Sequence, residues 1–171
     1  MTSLVGDRVG VVRAADAETL IAGSSTLKLL LDSSQTGGAL SAHHVHLGDG
    51  ADGASPHRHT KSSEMFYVVD GSIQILAGRL TLTATKGDLV VVPPGTAHAF
   101  AATPGCDGEL LVVITPGVER FEFFRELFRV MTGRADPTHL KTSQAQYDAY
   151  RAESPEWDSA RAVVTEEKGA Q

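Results

Sequence analysis

The sequence predicts an all-β fold, an antiparallel sandwich or barrel, followed by a C-terminal helical segment. Short β-prone runs recur at fairly even spacing from residue 9 to 114, and 17 glycines and 7 prolines break the chain between them. No strand–helix–strand alternation and no sustained repeat appears, which argues against a parallel sheet or a solenoid. The runs lie at 9–12, 27–31, 40–47, 65–69, 73–76, 80–83, 89–92, 97–101 and 110–114. Ala77-Gly78-Arg79 and Lys86-Gly87-Asp88 read as hairpin turns, because glycine adopts the left-handed backbone that tight turns need. After residue 117 the period changes to that of a helix. Phe121, Phe124, Leu127, Phe128 and Met131 form an apolar stripe between Gly117 and Gly133, with charged residues on the other face. Such a stripe packs a helix onto a barrel. Beyond it the chain is polar, with a short helix expected at 143–151 and a frayed end at 165–171. The expected organisation is a barrel over 1–116, an amphipathic helix over 117–133 and a polar, partly helical tail over 134–171.

Composition narrows the function. Lys and Arg number 15 against 21 Asp and Glu, a net charge of −6, and the pI is near 5.6. That balance lacks the positive surface a nucleic-acid binder needs. The N-terminus has no basic start followed by an apolar core, and no apolar run is long enough to span a membrane, so a cytoplasmic protein is expected. The single cysteine, Cys106, sits in a turn sequence without basic neighbours and reads as an unreactive loop thiol.

The chemistry concentrates in two segments. In Pro56-His57-Arg58-His59, residues two apart share one strand face, so His57 and His59 project together and Arg58 points away. Glu64 follows a turn and shares a face with Phe66 and Val68; pairing of these two strands would bring two imidazoles and a carboxylate together. The second segment, Gly87 to His98, is a buried run, then Pro93-Pro94-Gly95, then a histidine that faces the same way as Phe100. Three imidazoles and one carboxylate make a nitrogen/oxygen site suited to one divalent Fe, Mn, Co, Ni, Cu or Zn ion. His43, His44 and His46 precede this region, His43 on one strand face and the other two on the opposite one. His139 reads as incidental. Arg58, Lys61 and Arg79 read as solvated surface charges, and without an inward cation a strongly anionic substrate is disfavoured.

These two motifs resemble those of the cupins. The first runs His57-x-His59, four residues, Glu64, six residues, Gly71; the second is Gly87, Pro93, Gly95 and His98, with Ala102 where the family carries Asn. The resemblance covers about residues 25–116. It implies a double-stranded β-helix, the cupin jelly-roll barrel, with metal held by His57, His59, Glu64 and His98. It also implies a homodimer, to which the run at 9–12 could add an edge strand.

For activity, the resemblance points to a metal-dependent dioxygenase like the single-domain bacterial quercetinases, acting on a phenolic or enolic small molecule. Glu64 would be the base, and Phe66, Val68, Phe100 and Ala102 would line the substrate pocket, with the 121–131 helix as its lid. A non-redox cyclase or isomerase of a polyketide-like substrate and a non-catalytic small-molecule-binding module are the alternatives.

Overall fold

The computed structural model describes the backbone of residues 3–5 and 9–169 and the side chains of 9–138 and 140–162. Its strands are β1 (Ser3–Val5), β2 (Val9–Val11), β3 (Glu18–Ala22), β4 (Ser25–Leu31), β5 (Ser41–Leu47), β6 (His57–Arg58), β7 (Ser63–Ala77), β8 (Leu80–Thr85), β9 (Leu89–Val92), β10 (His98–Ala102), β11 (Gly108–Thr115) and β12 (Tyr150–Arg151). The helices are α1 (Phe121–Met131), α2 (Thr138–Thr142) and α3 (Pro155–Gly169).

All pairings are antiparallel, and β7 belongs to both faces of the barrel. Its first half pairs with β9 and β11, continuing through β5 and β4 to β3. Its second half pairs with β8 and with β10, which leads to β6 and β12. The chain therefore holds one 15-residue strand where two runs, 65–69 and 73–76, are expected. Gly71 is the bend between them: its φ is 72°, and a Cβ there would stand 2.1 Å from the Asp107 carbonyl oxygen.

The interior is filled by alternate residues of these strands, including Leu27, Val45, Phe66, Ile73, Phe100 and Val112. On the outside, Trp157 of α3 covers Leu76, Ala99 and Ala101. This is why every residue of β10 is buried: one of its faces looks into the barrel and the other lies under α3.

Helix α1 covers the apolar stripe Phe121 to Met131, shorter than the expected 117–133, and Phe124 and Phe128 are its buried residues. Its first turn is capped from a distance. The Asp32 carboxylate accepts the backbone N–H groups of Arg120 at 2.8 Å and Phe121 at 3.1 Å, satisfying donors that the helix itself leaves open.

Several expectations need correction. Lys86-Gly87-Asp88 is a turn but not a hairpin, because β8 and β9 pair with different halves of β7 and not with each other. The run at 9–12 holds strand β2, which pairs with β1 in a separate two-stranded sheet. Residues 143–151 do not form a helix; α2 ends before them, and they close through turns into β12. Helix α3 continues through the expected frayed end as far as Gly169, and 170–171 lie outside the described residues. The side chain of His139 also lies outside them. Among the described residues no helix is long and apolar enough to cross a membrane.

Candidate metal centre

Strand β6 does not pair with β7, as the convergence of its histidines with Glu64 would suggest; it lies between β10 and β12. His57 stands opposite His98 across the β6–β10 ladder, with ring centroids 4.3 Å apart. Glu64 enters from the start of β7, so the four groups meet through closure of the barrel and not through one strand pair. The turn into β10 is held by Gly95, whose φ of 83° suits glycine and whose N–H donates to the His59 carbonyl at 2.7 Å.

The geometry is that of a ligand set. Glu64 Oε2 lies 2.6 Å from His98 Nε2, 3.1 Å from His59 Nε2 and 3.8 Å from His57 Nε2. One ligand atom from each of the four residues falls within 4.8 Å of every other. The opposite ring nitrogens are committed elsewhere. Nδ1 of His57 donates to Ser55 O at 2.9 Å, that of His98 to Thr96 O at 2.9 Å, and that of His59 to Asp148 O at 2.5 Å. A neutral imidazole that donates from Nδ1 presents a lone pair at Nε2. With Nδ1 donating, each Nε2 can offer a lone pair beside the Glu64 carboxylate oxygen, and a cation between them satisfies both sides. The residues fit a divalent transition ion, with each histidine oriented by a backbone carbonyl in the way metal-ligating imidazoles are.

Electrostatics agree. Burial pushes the His57 imidazole down to about 3, which keeps it neutral and able to coordinate. Burial raises the Glu64 carboxyl, but the closeness of His59 and His98 outweighs it and holds the group well below the ordinary carboxylate range. Glu64 is therefore ionised at neutral pH.

Two residues that the sequence did not mark complete the site. Asp148 has a φ of 45° and is buried, and its carboxylate accepts from Thr60 N (2.9 Å), Thr60 Oγ1 (2.6 Å) and Lys61 N (3.0 Å), besides the bond its carbonyl accepts from His59. With β12 paired to β6, the C-terminal segment braces the strand that carries His57 and the loop that carries His59. Arg120, the residue before α1, is 5% exposed and donates from Nη1 to His59 Nε2 at 3.3 Å. It is the inward cation that strand parity denied to Arg58, which is exposed together with Lys61 and Arg79. The reading against anionic substrates does not survive this.

The cluster opens onto a cavity of about 570 Å³, of which His57, Glu64 and Arg120 form part of the wall. Of the four expected pocket residues, Phe100 lines it. Phe66, Val68 and Ala102 do not; they are fully buried in the core, Phe66 with its ring 6.0 Å from that of His98 and 5.5 Å from that of Phe100. Parity placed them on the inner face but said nothing of depth. The apolar wall comes instead from Leu27, Val45 and Leu47 and from Phe123, Phe124 and Leu127 of α1. His43 also faces the cavity, its ring 4.6 Å from that of Phe124, while His44 and His46 face outward, each 3.6 Å from Glu109. Cys106 is exposed and unpaired, in a turn closed by its N–H to Thr103 O.

Residues 43–114 match the family described as Cupin domain. The barrel has the cupin fold. Solved cupins of similar architecture include an RmlC-like cupin from Shewanella frigidimarina, with 24% identity and a TM-score of 0.54 over 66% of this chain and 93% of that one. A predicted oxalate decarboxylase from Thermotoga maritima shows 22% identity and a TM-score of 0.55 over 61% of this chain and 97% of its own. KdgF from a Halomonas species shows 20% identity and a TM-score of 0.54 over 65% and 94%. At these identities the likeness is one of fold. No curated protein matches. Arg120 and Asp148 lie beyond the matched cupin segment.

The cavity histidine gives a pH prediction. Burial pushes His43 from its usual 6.5 down to about 3. Between those values the unfolded chain binds a proton that the folded chain refuses, so stability falls as pH drops through that window, by about 1.4 kcal/mol per pH unit for this one group. In chelator-treated protein, the His43→Leu variant should lose less melting temperature than the parent between pH 7 and pH 4, as followed by circular dichroism. Parallel pH profiles would count against the assignment.

Proposed function

We propose that the chain is a metal-dependent enzyme, a dioxygenase acting on a phenolic or enolic small molecule with chemistry like that of the quercetinases. The observation that carries the reading is the opening of a three-histidine, one-glutamate cluster onto a cavity walled by aromatic and aliphatic side chains. A divalent transition ion held by His57, His59, Glu64 and His98 would supply a Lewis acid for an enol or phenol oxygen and, if redox-active, an electron path to dioxygen. The side chains do the rest. The Glu64 carboxylate, ionised and facing the cavity, takes the hydroxyl proton of a bound phenol. The α1 residues Phe123, Phe124 and Leu127 hold a flat ring and exclude water.

The test is reconstitution with Fe, Mn, Co, Ni, Cu or Zn in turn, followed by incubation with flavonols, catechols and polyketide-like phenols under an oxygen electrode. Oxygen uptake with both oxygen atoms recovered in the products, with carbon monoxide released where a flavonol ring is opened, supports the dioxygenase. Arg120 favours a second reading, because a fixed cation beside the cluster stabilises an enolate with no oxidant; a product of unchanged mass without oxygen uptake would indicate a cyclase or isomerase. The Glu64→Gln variant should keep much of the metal and lose turnover by about 10²- to 10⁴-fold, the usual contribution of a positioned base. Turnover at the parent rate would leave Glu64 as a ligand only.

A further inference from the structure

Arg120 makes no direct ion pair, although the carboxylates of Glu64, Asp148 and Asp32 all act on its charge. The carboxylates nearest to it are already occupied. Asp32 accepts the backbone N–H groups that open α1, Asp148 accepts from Thr60 and Lys61, and Glu64 faces the three histidines. The guanidinium is stacked by aromatic rings, its central carbon 5.6 Å from the Phe123 centroid and 5.3 Å from that of Phe124. Its Nε is fully buried and has no hydrogen-bond partner. A buried guanidinium with a donor left unfilled is costly, and the fork geometry of a guanidinium matches a planar anionic oxygen pair. Were His59 Nε2 given to a metal ion, Nη1 would also be released to donate. The other cations on the cavity wall, Lys141 and Arg151, are exposed, so Arg120 is the buried one.

We infer that Arg120 anchors an anionic oxygen, carboxylate or enolate, on an otherwise apolar ligand of the cavity. The Asp32 cap holds the Arg120 backbone, and the two phenylalanine rings hold its plane. The ligand's charged end therefore lies beside His57 and Glu64, and its apolar body runs along α1 towards Leu127. The inference rests on the cavity being the substrate site and deepens that reading: it selects acidic enols and aromatic acids over neutral phenols.

The experiment is calorimetric titration of zinc-loaded and of chelator-treated protein with two matched pairs of probes. One pair is 2-naphthoate and 2-naphthamide; the other is 2-hydroxy-1,4-naphthoquinone, an acidic enol, and its neutral methyl ether. At least one anionic probe should bind about ten-fold or more tightly than its neutral partner, as a charge-assisted hydrogen bond confers. Which pair discriminates tells carboxylate from enolate. In Arg120→Gln the preference should vanish while affinity for the neutral probe stays within about two-fold, and Arg120→Lys should restore part of it. Equal binding of both members of both pairs, or a preference that survives in Arg120→Gln, would overturn the inference. A preference seen in chelator-treated parent protein and lost in Arg120→Gln would uphold the anchor even if metal loading and oxygen uptake failed, which separates it from the dioxygenase reading.

Discussion

A variant carrying both His57→Ala and His59→Ala will purify without the divalent ion that the parent chain should hold at about one per chain. Both imidazoles present Nε2 to Glu64 Oε2, at 3.8 and 3.1 Å, and both are oriented by a carbonyl bound at Nδ1. If a site of this kind binds with about 10 kcal/mol or more spread over four ligands, two ligands represent roughly 5 kcal/mol, or about 10³- to 10⁴-fold in affinity. Elemental analysis should fall from near stoichiometric to background, and the circular dichroism spectrum should keep its β signature. A His44→Ala control, on the outer face of β5, should retain full occupancy because its side chain points away towards Glu109. Unchanged metal in the double variant would refute the ligand set.

Asp148→Ala should both destabilise the fold and weaken metal binding, although residue 148 is no ligand. Its carboxylate accepts three hydrogen bonds from Thr60 and Lys61, and loss of these leaves donors unpaired next to His59. At about 1 kcal/mol or more for each bond, and about 1–2 kcal/mol for alanine in the left-handed conformation that φ of 45° requires, the loss is about 4 kcal/mol. The loop then no longer holds the His59 ring against the 148 carbonyl, and metal affinity should fall about 10- to 100-fold, the usual effect of removing support from a ligand. Asp148→Asn tolerates the same backbone and keeps one acceptor oxygen, so it should recover most of the metal affinity and part of the stability. Chelator competition and thermal melts read the two effects separately. Wild-type affinity in Asp148→Ala would show that the C-terminal segment does not orient His59.

Much of the site was legible because its signals are local. Strand runs were marked by alternation and by glycine or proline at their ends, and the α1 boundaries came from one apolar stripe between Gly117 and Gly133. The four candidate ligands lie in two short segments, and the face parity within each, together with the resemblance of both motifs to those of the cupins, was enough to name them. The same rule separated His43 from His44 and His46, and the structure turned His43 to the cavity and the other two outward.

By itself, then, the sequence determined the β architecture, the helix that follows it and the identity of the His57, His59, Glu64 and His98 cluster. Only the tertiary structure decided what surrounds that cluster. Parity assigns a face but not a depth, so Phe66, Val68 and Ala102 went to the core and the cavity wall to α1. Period likewise cannot say which strands pair. The bend at Gly71 sends the two halves of β7 to different neighbours, and β6 joins β10 instead of β7. Arg120 and Asp148 meet His59 across 61 and 89 residues of chain. Contacts of that span leave no periodic trace, because they arise when closure of the barrel brings distant segments together and burial then gives the charge of each a specific partner or none.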